Sequence, residues 1–199
     1  METSEKKFIN IYFESNPNPN SLKFVANEML VESGESYDFP DLASAEKAPL
    51  AKELFSNFDY VDRVFYMSNF VTITKTEEKE WPEVQNELKE FIKYHLEDQK
   101  PLLSDDFIKE DVEKKEGLAS DESELDQKIK FVLDEYVKPA VEQDGGAITY
   151  QSFNEGVVKV QLQGSCSGCP SSTVTLKAGI ENLLKRMVPE VQSVEAESV

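Results

Sequence analysis

Two cysteines are the residues of this chain best suited to metal or redox chemistry. Cys166 and Cys169 are the only cysteines among its 199 residues, and two residues separate them. They lie in the run GSCSGCP at 164–170, where Gly168 permits the tight backbone that lets both sulfur atoms face one point. Such a pair can hold a metal ion, hold an iron–sulfur cluster, or cycle between dithiol and disulfide.

The flanking elements place the pair at the start of a helix. Alternating apolar residues at 157–162 predict a strand before the motif, and helical spacing at 171–187 predicts a helix after it. Pro170 suits the first helical turn, where a missing N–H costs no hydrogen bond. Since the N-terminal end of a helix favours anions, this placement is expected to lower the pKa of the thiols.

Four interpretations of the cysteine pair compete. In the first, the cysteines are small side chains without chemistry, although the surrounding Gly and Ser offer little apolar core. In the second, they form a thioredoxin-like redox motif, but Pro170 follows the second cysteine and no aromatic residue precedes the first. In the third, they hold zinc. A structural zinc site needs four ligands, and the single histidine, His95, lies in another predicted domain, where it is expected to pack or cap.

The fourth interpretation is an iron–sulfur cluster. A four-iron cluster typically takes four thiolates, whereas one chain supplies two. A symmetric dimer supplies four if the motif lies on the two-fold axis. A cluster shared in this way lies near the surface and loses half its ligands when the subunits separate. Such a site suits assembly or transfer better than permanent electron transfer.

The charge of the chain limits its partners. It carries 39 Asp and Glu against 21 Lys and Arg, a net charge of -18. Because DNA, RNA and anionic lipids are bound through clustered cations, no nucleic-acid or membrane partner is expected. No apolar run approaches the roughly 20 residues of a membrane span, and no apolar segment follows the N-terminal charges as in a secretory signal. Together with the cysteine spacing, this predicts a location in the reducing cytoplasm, with a processed organellar protein as the alternative.

The apolar pattern predicts two small α+β domains joined by an acidic flexible linker. The first domain, residues 1–98, has helices predicted at 49–58 and 81–96, and strands at 7–13, 61–66 and 70–74. A further extended stretch is predicted to start at 22–25 and to reach as far as 31. Residues 99–122 are predicted to form the linker, since their isolated leucines lie among charged residues and cannot build a core.

The second domain, residues 123–199, is predicted in the order α-β-β-α-β. A helix at 124–141 is expected to end at Asp144-Gly145-Gly146, since glycine accepts the left-handed backbone of many helix ends. Asn154-Glu155-Gly156 predicts a hairpin between strands at 147–153 and 157–162. The helix after the cysteines and a short strand at 191–194 complete the domain.

Motifs across the chain match one family. GSCSGCPSS at 164–172, Asp144-Gly145-Gly146 and Val188-Pro189-Glu190-Val191 lie in a region, 124–196, that resembles the C-terminal domain of the NifU/Nfu family of iron–sulfur cluster scaffold and carrier proteins. Residues 12–95 are similar to the N-terminal domain found ahead of it in Nfu-type proteins. Asn16-Pro17-Asn18-Pro19-Asn20 and Pro49-Leu50-Ala51 carry that similarity.

The resemblance implies a function and a ligand set. Cys166 and Cys169 would bind a [4Fe–4S] cluster, made of iron and sulfide, across a homodimer and pass it to apo iron–sulfur client proteins. An upstream cluster-assembly scaffold would supply the cluster, because the three spaced cysteines of the U-type scaffold are absent here. No catalytic residue is assigned, so a non-enzymatic carrier is expected. The N-terminal domain lacks cysteine and is expected to recognise clients or control the C-terminal domain.

Overall fold

The strands and helices of the chain separate into two units. The computed structural model describes residues 7–117, 123–167 and 170–198. The described residues of 1–14 and 20–119 form the first unit, and those of 15–19 and 120–199 form the second. Each unit combines helices with a sheet, which confirms the predicted α+β class.

A five-stranded sheet forms the frame of the first unit. Its order is β1, β2, β5, β4, β3, and the β2–β5, β5–β4 and β4–β3 pairs are antiparallel. The strands are β1 (Ile11–Ser15), β2 (Ser21–Ala26), β3 (Ser36–Phe39), β4 (Val61–Met67) and β5 (Phe70–Lys75). The sequence predicts four of them and misses β3, whose four residues are too few for a recognisable alternation.

Two helices pack their apolar faces against this sheet. Helix α1 spans Pro49–Asn57 and α2 spans Trp81–Glu97, each with a proline in its first turn. The apolar stripes of both helices pack with residues of β2 and β5 in one cluster, which includes Leu50, Leu54, Leu88, Ile92, Phe24 and Ile73. Both helices agree with the sequence prediction to within one residue at each end.

The single histidine is buried in this first unit. His95 Nδ1 lies 3.3 Å from Glu53 Oε2 of α1, and His95 Nε2 lies 3.3 Å from the Pro101 carbonyl oxygen. Both neighbours are acceptors, so a neutral imidazole can donate to one of them and an imidazolium to both. His95 thus packs as predicted, and it links α1 and α2 to the segment that leaves α2.

A third helix occupies much of the predicted linker. Helix α3 spans Asp105–Gly117. The Ser104 hydroxyl accepts a hydrogen bond from Phe107 N at 3.2 Å, and the Phe107 ring packs 5.5 Å from the Tyr37 ring. Lys47 Nζ donates to Glu110 Oε1 at 2.5 Å. The structure therefore has a full helix where the sequence predicts a flexible linker with at most a transient helical turn, because one aromatic residue anchors a helix whose other residues are mostly charged.

The second unit builds a three-stranded sheet. The strands are β6 (Gly146–Asn154), β7 (Val157–Gly164) and β8 (Ser193–Ser198), in that spatial order. Strands β6 and β7 form the predicted antiparallel hairpin, whereas β7 and β8 are parallel. Helix α6, Pro170–Met187, is the crossover that a parallel pair requires. Its Glu181 carboxylate accepts from Val194 N at 3.1 Å, which ties α6 to β8.

The first helix of the second unit is interrupted. Helix α4 (Glu124–Val132), a π-helical segment (Leu133–Val137) and α5 (Lys138–Gln143) follow one another where one helix at 124–141 was predicted. Lys138 N donates to Leu133 O, and Pro139 has no N–H to donate one turn back. The missing donor explains the wider turn. The order α-β-β-α-β is otherwise confirmed.

A hydrogen-bonded cap fixes the start of α4. The Ser123 hydroxyl accepts from Asp126 N at 3.2 Å, and the Asp126 carboxylate accepts from Ser123 N at 3.0 Å. Tyr150 Oη of β6 donates to the same carboxylate. The Ser123 hydroxyl also donates to the Asp126 carboxylate at 2.6 Å, and this bond first, then the one from Tyr150, lowers the pKa of Asp126 below its usual value.

Candidate metal centre

Cys166 lies in the turn that follows β7. The strand ends at Gly164, whose φ of 64° belongs to the left-handed region, and Ser167 N donates to Gly164 O at 3.1 Å. Ser165 N donates to Gly145 O at 3.3 Å. The cysteine turn is therefore bonded to the chain segment that ends α5.

The end of α5 supplies a second anchor for this turn. Asp144 N donates to Ala140 O at 3.0 Å and closes the helix, and Gly145 follows with a φ of 80°. The Ser165 hydroxyl donates to the Asp144 carbonyl oxygen and lies 3.9 Å from Cys166 Sγ. The predicted helix stop is confirmed, and its backbone carbonyl groups hold the residue next to the cysteine.

Cys166 packs against Gly146 at a place where a side chain on residue 146 would not fit. A Cβ atom added to Gly146 would lie 2.5 Å from Gln163 O and 3.0 Å from Cys166 Sγ. Real Cβ atoms do not approach backbone atoms so closely, so no other residue fits without a shift. Gly146 was predicted only as part of a helix stop. Its role beside the cysteine was not predicted from the sequence. Gly145 alone suffices to end the helix, so the presence of a second glycine at 146 was a signal that this position has another function.

Comparisons with known proteins match both parts of the chain. The family model described as "NifU-like domain" matches residues 129–195, and the one described as "Scaffold protein Nfu/NifU N terminal" matches residues 11–99. An Arabidopsis thaliana protein named "NifU-like protein 4, mitochondrial" is 41% identical over 195 residues, which cover 97% of this chain and 68% of that protein. The chain belongs to the NifU/Nfu family.

A relative from Drosophila willistoni carries a more specific name. It is called "NFU1 iron-sulfur cluster scaffold homolog, mitochondrial" and is 42% identical over 194 residues, or 96% of this chain. The NifU/Nfu chain described here spans 64% of the length of that relative. The resemblance predicted from the sequence motifs is thereby confirmed at the level of the family and of both its domains.

The names of these relatives correct the predicted location. Both relatives are named mitochondrial, so the expectation of a cytoplasmic protein is wrong. The expectation rested on overall acidity and cysteine spacing. Those features are properties of the folded protein, whereas transport to an organelle is directed by a separate targeting segment.

The structure places one of the two predicted ligands. Cys166 is 6% exposed, packs with the hydrophobic core of the second unit and lines a surface pocket of about 420 Å³ together with Ser165 and Leu176. Cys169 and Gly168 lie outside the residues that the structure describes. Within the described ranges, no group of three or more His, Cys, Asp or Glu side chains could hold a metal ion.

In the part of the chain that the structure describes, every helix is too short or too polar to cross a bilayer.

Proposed function

We propose that this NifU/Nfu chain is an iron–sulfur cluster scaffold and carrier. In the proposal, Cys166 and Cys169 bind a [4Fe–4S] cluster that is shared across a homodimer and is then transferred to apo-proteins. The observation that carries it is the position of Cys166, in a turn between β7 and α6 that Ser165 and Gly146 hold in place. Relatives of the chain named as iron–sulfur cluster scaffold homologues support the same function.

The number of ligands argues for the dimer. The chain contains two cysteines, and a four-iron cluster typically takes four thiolates. Two chains related by a two-fold axis bring four thiolates to one point, each chain contributing the same pair. The cluster is cargo in this scheme, because separation of the subunits removes half of its ligands.

Loading the cluster requires the cysteine turn to open. Cys166 is 6% exposed, so its thiolate must move outward before two subunits can share a cluster. The turn begins at Gly164, which tolerates large changes in φ, and the Ser165 hydroxyl holds it through a bond to Asp144 O. We propose that this bond breaks when Cys166 turns toward the cluster.

Transfer then proceeds by ligand exchange. Thiolates of a client replace Cys166 and Cys169 one at a time, and the exchange of one thiolate for another leaves the ligand type of the iron unchanged. The exchange breaks iron–thiolate bonds to this chain and makes iron–thiolate bonds to the client, and it leaves the iron and sulfide of the cluster unchanged, so the proposed role is that of a carrier and not an enzyme. An upstream assembly scaffold would load the cluster.

The two domains have separate roles in this proposal. Residues 123–199 hold the cluster, and residues 1–98, which lack cysteine, recognise clients or control the second domain. Residues 99–122, which include α3, connect them. The mitochondrial names of the relatives support a mitochondrial location for this chain as well.

A transfer assay tests the proposal. The cluster-loaded protein is mixed without oxygen with a purified apo-enzyme that needs a four-iron cluster, and recovery of that enzyme's activity is followed over time. We expect recovery to be faster than with equal amounts of free iron and sulfide, and to persist when a chelator captures free iron. Recovery that the chelator abolishes would mean that iron is released to solution rather than transferred, and would contradict a carrier.

A further inference from the structure

A groove lies on the surface of the first unit, and its lining residues come from the part of the sequence between Lys7 and Val112. It is lined by the segment that follows β2, by the C-terminal end of α2 and by α3, and its volume is about 580 Å³. All lining residues belong to the first unit. The groove is therefore a feature of a unit that holds no cysteine and for which the proposed cluster chemistry gives no direct role.

Helix α3 presents a second apolar face to this groove. Its Phe107 packs against the core, as described above. Ile108 and Val112 are one turn apart and share another face, and they are 45% and 47% exposed. Both line the groove, so α3 buries one part of its apolar surface and leaves another part open.

Further apolar side chains continue this face across the groove. Met29, which is 58% exposed, also lines the groove, and Leu30 and Leu103 contribute to the lining. A contiguous group of exposed apolar residues is a feature of surfaces that bind a partner. Helices of a folded domain usually bury such apolar residues as Ile108 and Val112 against a core.

The charged residues of the groove favour a cation. Each of its two lysines has a carboxylate nearby: Lys7 forms an ion pair with Glu28, and Lys100 Nζ lies 3.9 Å from the Asp98 carboxylate. The other charged residues of the lining are all acidic, namely Glu32, Glu35 and Asp111. An apolar floor with an acidic edge is complementary to an apolar stripe flanked by Lys and Arg.

We propose that this groove binds a cationic amphipathic helix of a partner protein. The apolar residues of such a helix, spaced by three and four, would pack against Ile108, Val112 and Met29, while its Lys and Arg would face Glu32 and Asp111. A second copy of this chain is a poor occupant, because its net charge of -18 would bring like charge to the groove. A small apolar ligand would remain largely exposed between side chains that are themselves half exposed.

A peptide titration on the full chain tests this inference. The probe is a synthetic fluorescein-labelled peptide of about five helical turns, with Leu at helical spacing and Lys elsewhere. The comparison peptide has the same composition in scrambled order, which removes the apolar stripe and keeps the charge. We expect saturable binding of the amphipathic peptide by fluorescence polarisation, weakened by salt, and at least about tenfold weaker binding of the scrambled one. Equal binding of both peptides, or no binding of either, would overturn the proposal.

Variants locate the binding site. Ile108→Asp is expected to weaken binding by about tenfold or more, because it places a charge on the apolar floor. The matched control Leu42→Asp changes a residue of similar exposure, 47%, that does not line the groove. Glu32→Lys is expected to weaken binding and flatten its salt dependence, whereas Glu78→Lys makes the same change elsewhere and is expected to have a smaller effect. Circular dichroism checks that each variant is folded.

The outcomes of this test are separate from those of the cluster proposal. The titration uses the protein without a cluster, so failed cluster binding would leave it unaffected. If Ile108→Asp and Leu42→Asp bind the amphipathic peptide equally, the groove is not its site and the inference is wrong.

Discussion

Replacing Gly146 with alanine tests how the cysteine turn is built. The added methyl group would lie 2.5 Å from Gln163 O, a backbone atom of β7 that cannot rotate away, and 3.0 Å from Cys166 Sγ. Overpacking of this kind costs about 1–3 kcal/mol. The stiffer unfolded chain of an alanine variant offsets about 0.4–1 kcal/mol of this. We therefore expect Gly146→Ala to lower the free energy of unfolding by about 1–2 kcal/mol.

A second glycine of the same unit provides the matched control. Gly179 lies within α6, and a Cβ atom added to it would meet nothing within 4 Å. Gly179→Ala is therefore expected to stabilise the protein by about 0.5–1 kcal/mol, the usual gain from replacing a helical glycine. Because the two variants add the same methyl group, the opposite signs would come from the surroundings alone.

Urea unfolding measured with two probes provides the assay. Far-UV circular dichroism reports on both units, whereas fluorescence of the single tryptophan, Trp81, reports on the first unit. We expect Gly146→Ala to shift the circular dichroism transition of the second unit to lower urea and to leave the Trp81 transition in place. An unfolding curve like that of the natural protein, or a larger loss for Gly179→Ala, would refute the argument from close packing.

Two further substitutions test contacts outside the cysteine turn. His95→Leu removes both ring contacts of a buried histidine and is expected to destabilise the first unit by about 1–3 kcal/mol. The Trp81 fluorescence transition would then occur at a lower urea concentration. An unchanged transition would show that the two contacts contribute nothing to stability. Hydrogen bonds from Ser123 first and Tyr150 second lower the pKa of Asp126 in the folded protein. The charged carboxylate therefore stabilises the fold fully above the unfolded pKa of about 3.9. This contribution is lost as the pH falls through the lower folded pKa. Asp126→Asn is therefore expected to flatten the loss of stability as the pH falls below about 4, measured by urea unfolding at several pH values, and an unchanged slope would contradict this.

Local sequence signals predicted much of the second unit. The Asp144-Gly145-Gly146 stop, the Asn154-Glu155-Gly156 hairpin and the helix start at Pro170 all appear where the sequence places them. Each is decided within a few residues, by a glycine that accepts positive φ or by a proline that suits a first turn. Such signals do not depend on the rest of the fold, so they can be read from the chain directly.

Features decided by tertiary contacts could not be read in this way. Helix α3 depends on Phe107 reaching Tyr37, a residue 70 positions earlier in the chain, while the composition of residues 99–122 indicates only disorder. The π-helical segment before Pro139 could be predicted only if it was known that the helix continues past the proline. The role of Gly146 required knowing that Cys166 comes next to it in space.

The metal and sulfide content of the assembled protein tests the central claim most directly. The protein is reconstituted without oxygen with iron and sulfide, and iron, sulfide, zinc and solution mass are measured for the natural chain, Cys166→Ser and Cys169→Ser. The account predicts about two irons and two sulfides per chain on a dimer, and folded variants that hold no full cluster. A metal-free monomer whose cysteines cycle between dithiol and disulfide, a zinc-bound protein, or a serine variant that keeps a full cluster would contradict it.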